Sequence, residues 1–334
     1  MVSGKKFIYA KAFNGQPTIE NFRLEEFQLP DTVKDGEVLF KAEYLSVDPY
    51  MRPYMARYPE GVLMIGEQVA RVLKSAHPKY PEGSLVCGKF GWATHTLIKP
   101  DEKDFSTLFP LPDLKGQPTS YGLGVLGMPG NTAYFGLLEI CKPKEGETVV
   151  VTGAAGAVGS VVGQIAKIKG CKVIGFAGSQ EKCDYLVKDL GFDYAFNYKT
   201  DDIKESLKKA APKGVDCYFD NVGGEISSKI IGHMNLYGRI SVCGAISAYN
   251  SKNVTLELAP ILQPSMVFQQ LKMEGFVVTR WADRWFEGIQ QNLKWIAEGK
   301  LKYTETVTEG FLNMPQAFFD MLNGKNTGKA IVKV

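Results

Sequence analysis

The sequence predicts an α/β protein in two parts, a β-rich domain and a domain built on a doubly wound parallel sheet. Three observations carry this prediction. The chain has 334 residues, which is more than one hydrophobic core usually serves. Short alternating runs separated by turn residues fill the first part, and strand–helix alternation follows. Within the alternating part, a glycine-rich turn at 153–159 separates an apolar strand from a helix.

The first part reads as a small barrel-like β domain. Its runs of β-branched and aromatic residues predict strands at 5–10, 38–44, 69–74 and 84–90. Turn residues such as Asp35-Gly36 lie between these runs. Residues 329–334 alternate like a strand, and we expect them to rejoin this domain. The domains are therefore expected at 1–124 with 300–334, and at 125–299.

The second part alternates strands and helices at the spacing of a parallel sheet. The expected strands are 148–152, 172–177, 194–197, 215–220 and 238–243. The expected helices are 132–140, 158–169, 180–190, 202–210, 225–234 and 282–298.

Charge and composition narrow the class of function. The 39 basic and 36 acidic residues leave a formal net charge of +3, which argues against nucleic acid or an anionic membrane as the main partner. The six cysteines are scattered with no C-x-x-C pair, as expected for reduced thiols in a cytoplasmic protein. We see no secretory signal and no apolar stretch of the ~20 residues that a membrane span needs.

The glycine-rich turn is a candidate phosphate cradle. The apolar strand Thr148–Thr152 is followed by Gly153, Gly156 and Gly159 in the spacing G-x-x-G-x-x-G, a variant of the usual dinucleotide fingerprint. Small residues let backbone N–H groups approach a pyrophosphate, and the helix N-terminus adds partial positive charge. Because the turn sits between a strand and a helix in a βαβ unit, it predicts a Rossmann domain that binds a nicotinamide dinucleotide.

The next strand favours NADPH over NADH. An NAD site usually has a carboxylate at the tip of that strand, but here the tip reads Phe176-Ala177-Gly178-Ser179. Lys182 follows, and a cation there suits a 2′-phosphate. We expect Glu181 and Asp184 on the solvent side of the helix. The alternative is that Lys182 is a solvated helix lysine.

Metal ligands are not apparent in the sequence. His77, His95 and His233 are the only histidines, and none neighbours a cysteine or acid at ligand spacing. We therefore expect no metal. Without a Lewis acid, reduction of an activated C=C bond is favoured over alcohol oxidation, because hydrogen bonds alone can stabilise the enolate.

Several motifs in order make the chain resemble the zinc-free branch of the medium-chain dehydrogenase/reductase superfamily, and within it the prostaglandin and alkenal reductases. The motifs are Ser46-Val47-Asp48-Pro49-Tyr50-Met51-Arg52, Gly127-Met128-Pro129-Gly130-Asn131-Thr132-Ala133-Tyr134-Phe135-Gly136-Leu137, Phe219-Asp220-Asn221-Val222-Gly223-Gly224 and Cys243-Gly244-Ala245-Ile246-Ser247-Ala248-Tyr249-Asn250. Where zinc-containing relatives carry Gly-His-Glu, this chain reads Ile65-Gly66-Glu67. The resemblance implies a GroES-like fold for the β-rich catalytic domain, and a homodimer.

The resemblance also implies the NADPH contacts. The pyrophosphate would lie on Gly156, Ala157, Val158 and Gly159. The 2′-phosphate would lie on Lys182 and Tyr198, and the ribose side on Asn221. The nicotinamide pocket would be lined by Cys243, Gly244, Ala245, Ile246, Ser247, Phe276, Val277 and Val278, and Asn326 would close over the cofactor.

For the substrate side, the resemblance implies Tyr249, Tyr50 and Arg52. Tyr249 would donate a hydrogen bond to the substrate carbonyl as charge develops; the alternative is that it only packs against the ligand. Arg52 would face an acidic lipid tail, or else form a structural ion pair. Pocket shape would depend on the loops at 54–64 and 247–254 and on the stretch 260–264.

The expected activity is NADPH-dependent reduction of α,β-unsaturated ketones and aldehydes, including alkenals, enones and 15-oxo-prostaglandins. Hydride would go to the β-carbon and a solvent proton to the α-carbon. Two alternatives stay open, namely quinone reduction on the same scaffold and a non-catalytic NADPH-binding role.

Overall fold

The described part of the chain forms two compact units. The computed structural model describes residues 1–100, 108–251 and 262–334. The first unit, called the β unit below, comprises Met1–Gly124 and Glu305–Val334, and the second, called the nucleotide unit, comprises Val125–Thr304.

Strands dominate the first unit, and strands and helices alternate in the second. Among the described residues, the strands in chain order are β1 (Val2–Tyr9), β2 (Phe22–Leu29), β3 (Val38–Ser46), β4 (Gln68–Ser75), β5 (Leu85–Gly88), β6 (His95–Ile98), β7 (Leu108–Pro110), β8 (Thr148–Thr152), β9 (Lys172–Ala177), β10 (Tyr194–Asn197), β11 (Val215–Asp220), β12 (Met234–Val242), β13 (Lys272–Gly275), β14 (Glu305–Glu309) and β15 (Lys329–Lys333). The helices are α1 (Met51–Met55), α2 (Met128–Phe135), α3 (Gly159–Ile168), α4 (Gln180–Lys188), α5 (Ile203–Ala210), α6 (Gly224–Ile231), α7 (Gln263–Phe268), α8 (Trp285–Ala297) and α9 (Met314–Leu322).

The β unit is organised around β3, which pairs antiparallel with β4, β6 and β15. The sheet runs β14-β15-β3-β4-β5-β7, and β1 and β2 form a separate antiparallel hairpin. Its core is aromatic. The Trp92 ring stacks on Phe22 at 5.3 Å and meets Phe318 of α9 edge-on at 5.8 Å. Since β15 pairs with β3, this strand does rejoin the N-terminal strands, as the sequence predicts.

A buried ion pair fixes β15 in this unit. The side chain of Lys329 has no exposed surface, and its Nζ lies 3.0 Å from Oδ1 of Asp48. The same ammonium donates to the carbonyl oxygens of Val47 at 2.8 Å and Ala330 at 2.9 Å. These acceptors offset the cost of burying the charge, so removing either partner would leave an uncompensated ion.

The nucleotide unit is a parallel sheet in the order β10-β9-β8-β11-β12-β13. This is the strand order of a Rossmann fold, and it reverses between β8 and β11, where such folds bind their ligands. Val150, Ile174, Tyr218 and Ile240 come from four different strands, are each 0% exposed, and pack with Ile230 of α6. The α/β class with a β-rich part and a Rossmann-type sheet is therefore confirmed.

The helix predicted at 132–140 differs most from its expectation. It begins earlier, as α2, and continues from Gly136 to Cys141 as a π-helical turn. A Cβ atom on Gly136 would overlap the ring of Phe276 and lie 2.9 Å from that of Phe219. Tertiary packing of these rings against a glycine thus accompanies the change in helical type.

In the described ranges, none of the helices combines the length and apolarity needed to span a membrane.

Candidate functional site

The turn after β8 has the tight geometry that a phosphate cradle needs. Gly153 has a φ of +60°, which favours glycine. A Cβ atom on Gly159 would overlap the carbonyl oxygen of Gly153 and lie 2.8 Å from Cα of Ala154. Only glycine at 159 lets α3 start this close to the strand. The cradle residues 156–159 therefore lie at the start of α3, at the carboxyl end of β8.

Two lysines come together at the tip of β9. A Cβ atom on Gly178 would lie 3.1 Å from the hydroxyl of Tyr198 and 3.5 Å from Cε of Lys199. Burial, and next the charge of Lys199, lower the pKa of Lys182. The missing side chain at Gly178 leaves room between these groups, and two neighbouring cations attract an anion. Tyr198 and Lys199 therefore lie beside Gly178, and Lys199 is close enough to Lys182 to affect its pKa.

Of the two acids that complicate a 2′-phosphate site, Asp184 is paired within α4. Asp184 accepts hydrogen bonds from Gln180 at 2.8 Å and Lys188 at 2.7 Å, and Glu181 is exposed. The Ser179 hydroxyl caps α4 by accepting the N–H of Lys182 at 3.3 Å.

Asn221 lies at the switch point of the sheet, directly after β11. Its Nδ2 donates to the carbonyl oxygen of Thr152 at 2.7 Å, and its backbone N–H donates to the Thr152 hydroxyl at 3.2 Å. Both contacts link the carboxyl ends of β8 and β11. The amide side chain is therefore held at the edge of the sheet where a dinucleotide binds.

The loop that follows β12 holds Tyr249. The Tyr249 hydroxyl accepts the N–H of Ala245 at 3.3 Å, and a Cβ atom on Gly244 would lie 3.0 Å from that oxygen. A larger residue at 244 would displace the phenol. Desolvation, and next the charge of Asp220, raise the pKa of the Cys243 thiol to about 12, so the thiol stays protonated near neutral pH.

The segment 276–278 has mixed surroundings. The Phe276 ring packs edge-on against Phe219 at 6.2 Å and Trp281 at 5.6 Å, and Val278 is 6% exposed. Both side chains serve the core of the nucleotide unit. Phe276 is partly exposed, and Val277, at 56%, is the most exposed of these three side chains.

In the β unit, Arg52 is committed to a loop. The side chain is buried, and its guanidinium donates to the carbonyl oxygen of Gly15 at 2.8 and 3.3 Å. It also lies over the ring of Phe13 at 4.9 Å. These contacts fit a structural role for Arg52. Its partners are a carbonyl oxygen and an aromatic ring, whereas the expected ion pair would have an acid as the partner.

Tyr50 lies near two acids, the buried Asp48 and the partly buried Glu67. Burial, and then the charges of Glu67 and Asp48, raise the pKa of Tyr50 well above its usual range. Burial and Asp48 also raise the pKa of Glu67 to about 7, against the opposing effects of Lys89 and Lys329. Nothing in the sequence pattern alone singles out Glu67 as a group that titrates near neutrality.

Asn326 lies in the turn before β15, where its Nδ2 donates to the carbonyl oxygen of Gly328 at 2.8 Å. The loop at 54–64 is described, whereas residues 252–254 and 260–261 of the other two expected substrate-side segments lie outside the described residues. Among the residues that are described, no group of three or more His, Cys, Asp or Glu side chains could hold a metal ion.

Comparison with known proteins agrees with this architecture. Residues 5–106 match the family described as the N-terminal domain of oxidoreductase, and residues 157–298 match the family described as zinc-binding dehydrogenase. Prostaglandin reductase 1 of Bos taurus is 53% identical over 100% of both chains. The NADP(+)-dependent 2-alkenal reductase of Nicotiana tabacum is 40% identical over 100% of this chain and 98% of its own.

A solved structure extends the similarity to three dimensions. CurA from Vibrio vulnificus in complex with NADPH superposes with a TM-score of 0.90 at 39% identity, covering 99% of each chain. The strand order, the cradle and these full-length similarities lead to one conclusion. The chain belongs to the medium-chain dehydrogenase/reductase family, in the group that includes prostaglandin reductase 1.

Proposed function

We propose that this protein is an NADPH-dependent double-bond reductase acting on α,β-unsaturated ketones and aldehydes. The substrate class comprises alkenals, enones and 15-oxo-prostaglandins. The observation that carries the proposal is the tip of β9 and what surrounds it. The tip, Phe176-Ala177-Gly178-Ser179, carries no carboxylate. Lys199 lies beside Gly178, and its charge acts on Lys182. The relatives named as prostaglandin, alkenal and curcumin reductases support the reaction class.

NADPH, when bound, supplies a hydride for the β-carbon of the substrate. The cradle of Gly156, Ala157, Val158 and Gly159 would hold its pyrophosphate. Lys182, Tyr198 and Lys199 would hold the 2′-phosphate, and Asn221 the ribose side. Cys243, Gly244, Ala245, Ile246, Ser247, Phe276, Val277 and Val278 would flank the nicotinamide, with Val277 offering the most exposed side chain among the last three. Asn326 would close over the cofactor.

Tyr249 would act at the substrate carbonyl. A phenol oxygen can accept one hydrogen bond, as it does from the Ala245 N–H, and can also donate its own proton. In the proposed mechanism the hydroxyl donates this proton in a hydrogen bond to the carbonyl oxygen as negative charge develops there. Water then protonates the α-carbon, so the tyrosine itself need not lose a proton.

The β unit would contribute to the substrate side through Tyr50 and Arg52. The contacts of Arg52 with Gly15 and Phe13 favour a role in holding its loop, and Tyr50 is the stronger of the two candidates for substrate contact. In this proposal residues 1–124 with 300–334 form the catalytic domain, and residues 125–299 form the NADPH domain.

A homodimer in the cytoplasm is part of the proposal. The nucleotide unit exposes large apolar side chains near β13, the edge strand of its described sheet: Tyr237 is 62% exposed, Val267 70% and Phe268 79%. Exposed apolar patches of this kind often mark interfaces between proteins. Sedimentation equilibrium at micromolar concentration would give a dimer mass if the proposal holds, and a monomer mass would contradict it.

A substrate panel tests the function. The purified chain is given NADPH with an enal, a 15-oxo-prostaglandin, a quinone or a saturated aldehyde, with NADH as the control cofactor. We expect NADPH oxidation with the first two substrates, and deuterium from labelled NADPH at the β-carbon of the product. NADPH oxidation with the quinone alone would favour quinone reduction as the function. Tight NADPH binding without turnover of any substrate would favour the non-catalytic role.

A further inference from the structure

Asp220 is a buried carboxylate at the carboxyl end of β11, and the mechanism above does not use it. Its side chain is only 3% exposed. Oδ1 accepts the N–H groups of Val222 and Gly223, both at 2.9 Å, and the hydroxyl of Thr152 at 3.2 Å. Oδ2 accepts the hydroxyl of Ser227 at 2.6 Å. A carboxylate has about four acceptor positions, so these donors satisfy it.

These bonds shape the turn between β11 and α6. Gly223 and Gly224 have φ values of +69° and +65°, a region that side chains rarely enter. A carboxylate that accepts the N–H groups two and three residues further along stabilises such a turn. The turn carries Asn221, and Thr152, the residue that Asn221 contacts, is also a donor to Asp220.

The loop after β12 rests on this turn through its backbone. The N–H of Cys243 donates to the carbonyl oxygen of Asp220 at 2.8 Å, and the N–H of Ile246 donates to that of Asn221 at 3.3 Å. The hydroxyl of Ser247 donates to the carbonyl oxygen of Val222 at 2.6 Å. A shift of the turn would therefore move the loop that holds Tyr249.

We propose that Asp220 is a positioning residue. It fixes the turn after β11 and the loop after β12, so that Asn221 meets the cofactor and Tyr249 meets the substrate. The inference rests on the proposed function, since it concerns the same site. Removing the carboxylate leaves two backbone N–H groups without their acceptor and relaxes both loops. Loss of the carboxylate should therefore weaken NADPH binding and also lower kcat.

Asp216 provides a matched control on the same strand. It lies near the opposite end of β11, where its carboxylate accepts the N–H of Thr148 and Nδ2 of Asn235, each at 2.8 Å. Asp216→Ala thus removes two carboxylate hydrogen bonds on the same strand, but at the amino end of the sheet, away from the edge where Rossmann ligands bind.

The experiment compares Asp220→Ala, Asp220→Asn and Asp216→Ala in the full chain. NADPH affinity is measured by fluorescence titration, stability by thermal melting, and kcat with the best enone. We expect Asp220→Ala to raise the Kd for NADPH by about tenfold or more and to lower kcat. Asp216→Ala should lower the melting temperature but change this Kd by less than about twofold.

Asp220→Asn should restore most of the affinity. Its Oδ1 can accept from the same three donors, and the Ser227 hydroxyl can turn to accept from Nδ2. Equal weakening of NADPH by Asp220→Ala and Asp216→Ala would overturn the proposal, as would unchanged affinity in Asp220→Ala.

If Asp220→Ala does not fold, Ser227→Ala is measured in its place. We expect this variant to raise the Kd for NADPH by about two- to fivefold, because one hydrogen bond to the Asp220 carboxylate is lost. An unchanged Kd would contradict the proposal. The titration needs no substrate. A wild type that binds NADPH but reduces no enone would therefore refute the proposed function alone, while the comparison of affinities would still decide the role of Asp220.

Discussion

Replacing Lys182 by alanine should separate the two nicotinamide cofactors. The lysine is half-buried beside Lys199, so its charge is screened less than that of a surface lysine. A hydrogen bond to a charged group contributes about 1.5–3 kcal/mol. Because about 1.4 kcal/mol corresponds to tenfold, Lys182→Ala should raise the Kd for NADPH about 10- to 150-fold. Lys199 remains, which prevents a greater loss.

The assay is a fluorescence titration of each variant with NADPH and with NADH. NADH has no 2′-phosphate, so its Kd should stay within about twofold of the wild-type value. Lys188→Ala is the control, since Lys188 lies on the same helix but is exposed and paired with Asp184 at 2.7 Å. Equal losses for NADPH and NADH, or no loss for either, would refute the assignment of Lys182 to the 2′-phosphate.

Three further predictions address Tyr249, Glu67 and Arg52. Tyr249→Phe should lower kcat about 10- to 1000-fold by removing an oxyanion donor, and unchanged turnover would exclude Tyr249 from the chemistry. Because the pKa of Glu67 is raised in the folded state, the folded protein keeps this proton to a higher pH than the unfolded chain does. Stability should therefore fall as pH rises from 4.5 to about 7, and melts of Glu67→Gln should lack this fall. Arg52→Ala should destabilise the fold by about 1–3 kcal/mol in denaturant titrations, because the Gly15 carbonyl and the Phe13 ring lose their partner; loss of substrate affinity at unchanged stability would instead favour a role with acidic substrates.

Much of the nucleotide unit can be predicted because its signals are local. The strands expected at 148–152, 172–177, 194–197 and 215–220 have these same bounds in the structure. β8 and β9 lie inside the sheet and are buried on both faces, so their central residues are apolar. The glycine cradle is predictable for a similar reason, since the need for steric room at Gly159 leaves a visible residue type.

Strands that depend on their neighbours escape prediction. β13 reads Lys-Met-Glu-Gly and has little β propensity, yet it pairs in parallel with β12 along its whole length. β2 contains two consecutive glutamates and is formed by its hairpin with β1. Pairing across space outweighs local propensity in both cases.

The candidate site divides in the same way. Lys182 and Tyr198 follow from motifs, and Lys199 could be found because it directly follows Tyr198. Asp220 escapes notice because an acid at a strand end has no distinctive pattern, and its importance depends on donors that come from three different segments. Only the folded chain brings Thr152 and Ser227 to its two oxygens.

The buried pairing of β15 sets the order in which the chain can complete its two units. Ile331 of β15 pairs with Ser46 of β3, so the β unit closes only after β15 has left the ribosome. The nucleotide unit is complete in sequence earlier and can fold first, whereas contacts of high sequence separation form slowly. Until β15 pairs with β3 and Lys329 reaches Asp48, one edge of β3 has no partner strand. A premature stop before Lys329 would thus yield a folded Rossmann unit attached to an unfinished β unit with an exposed strand edge, which is a species prone to aggregate.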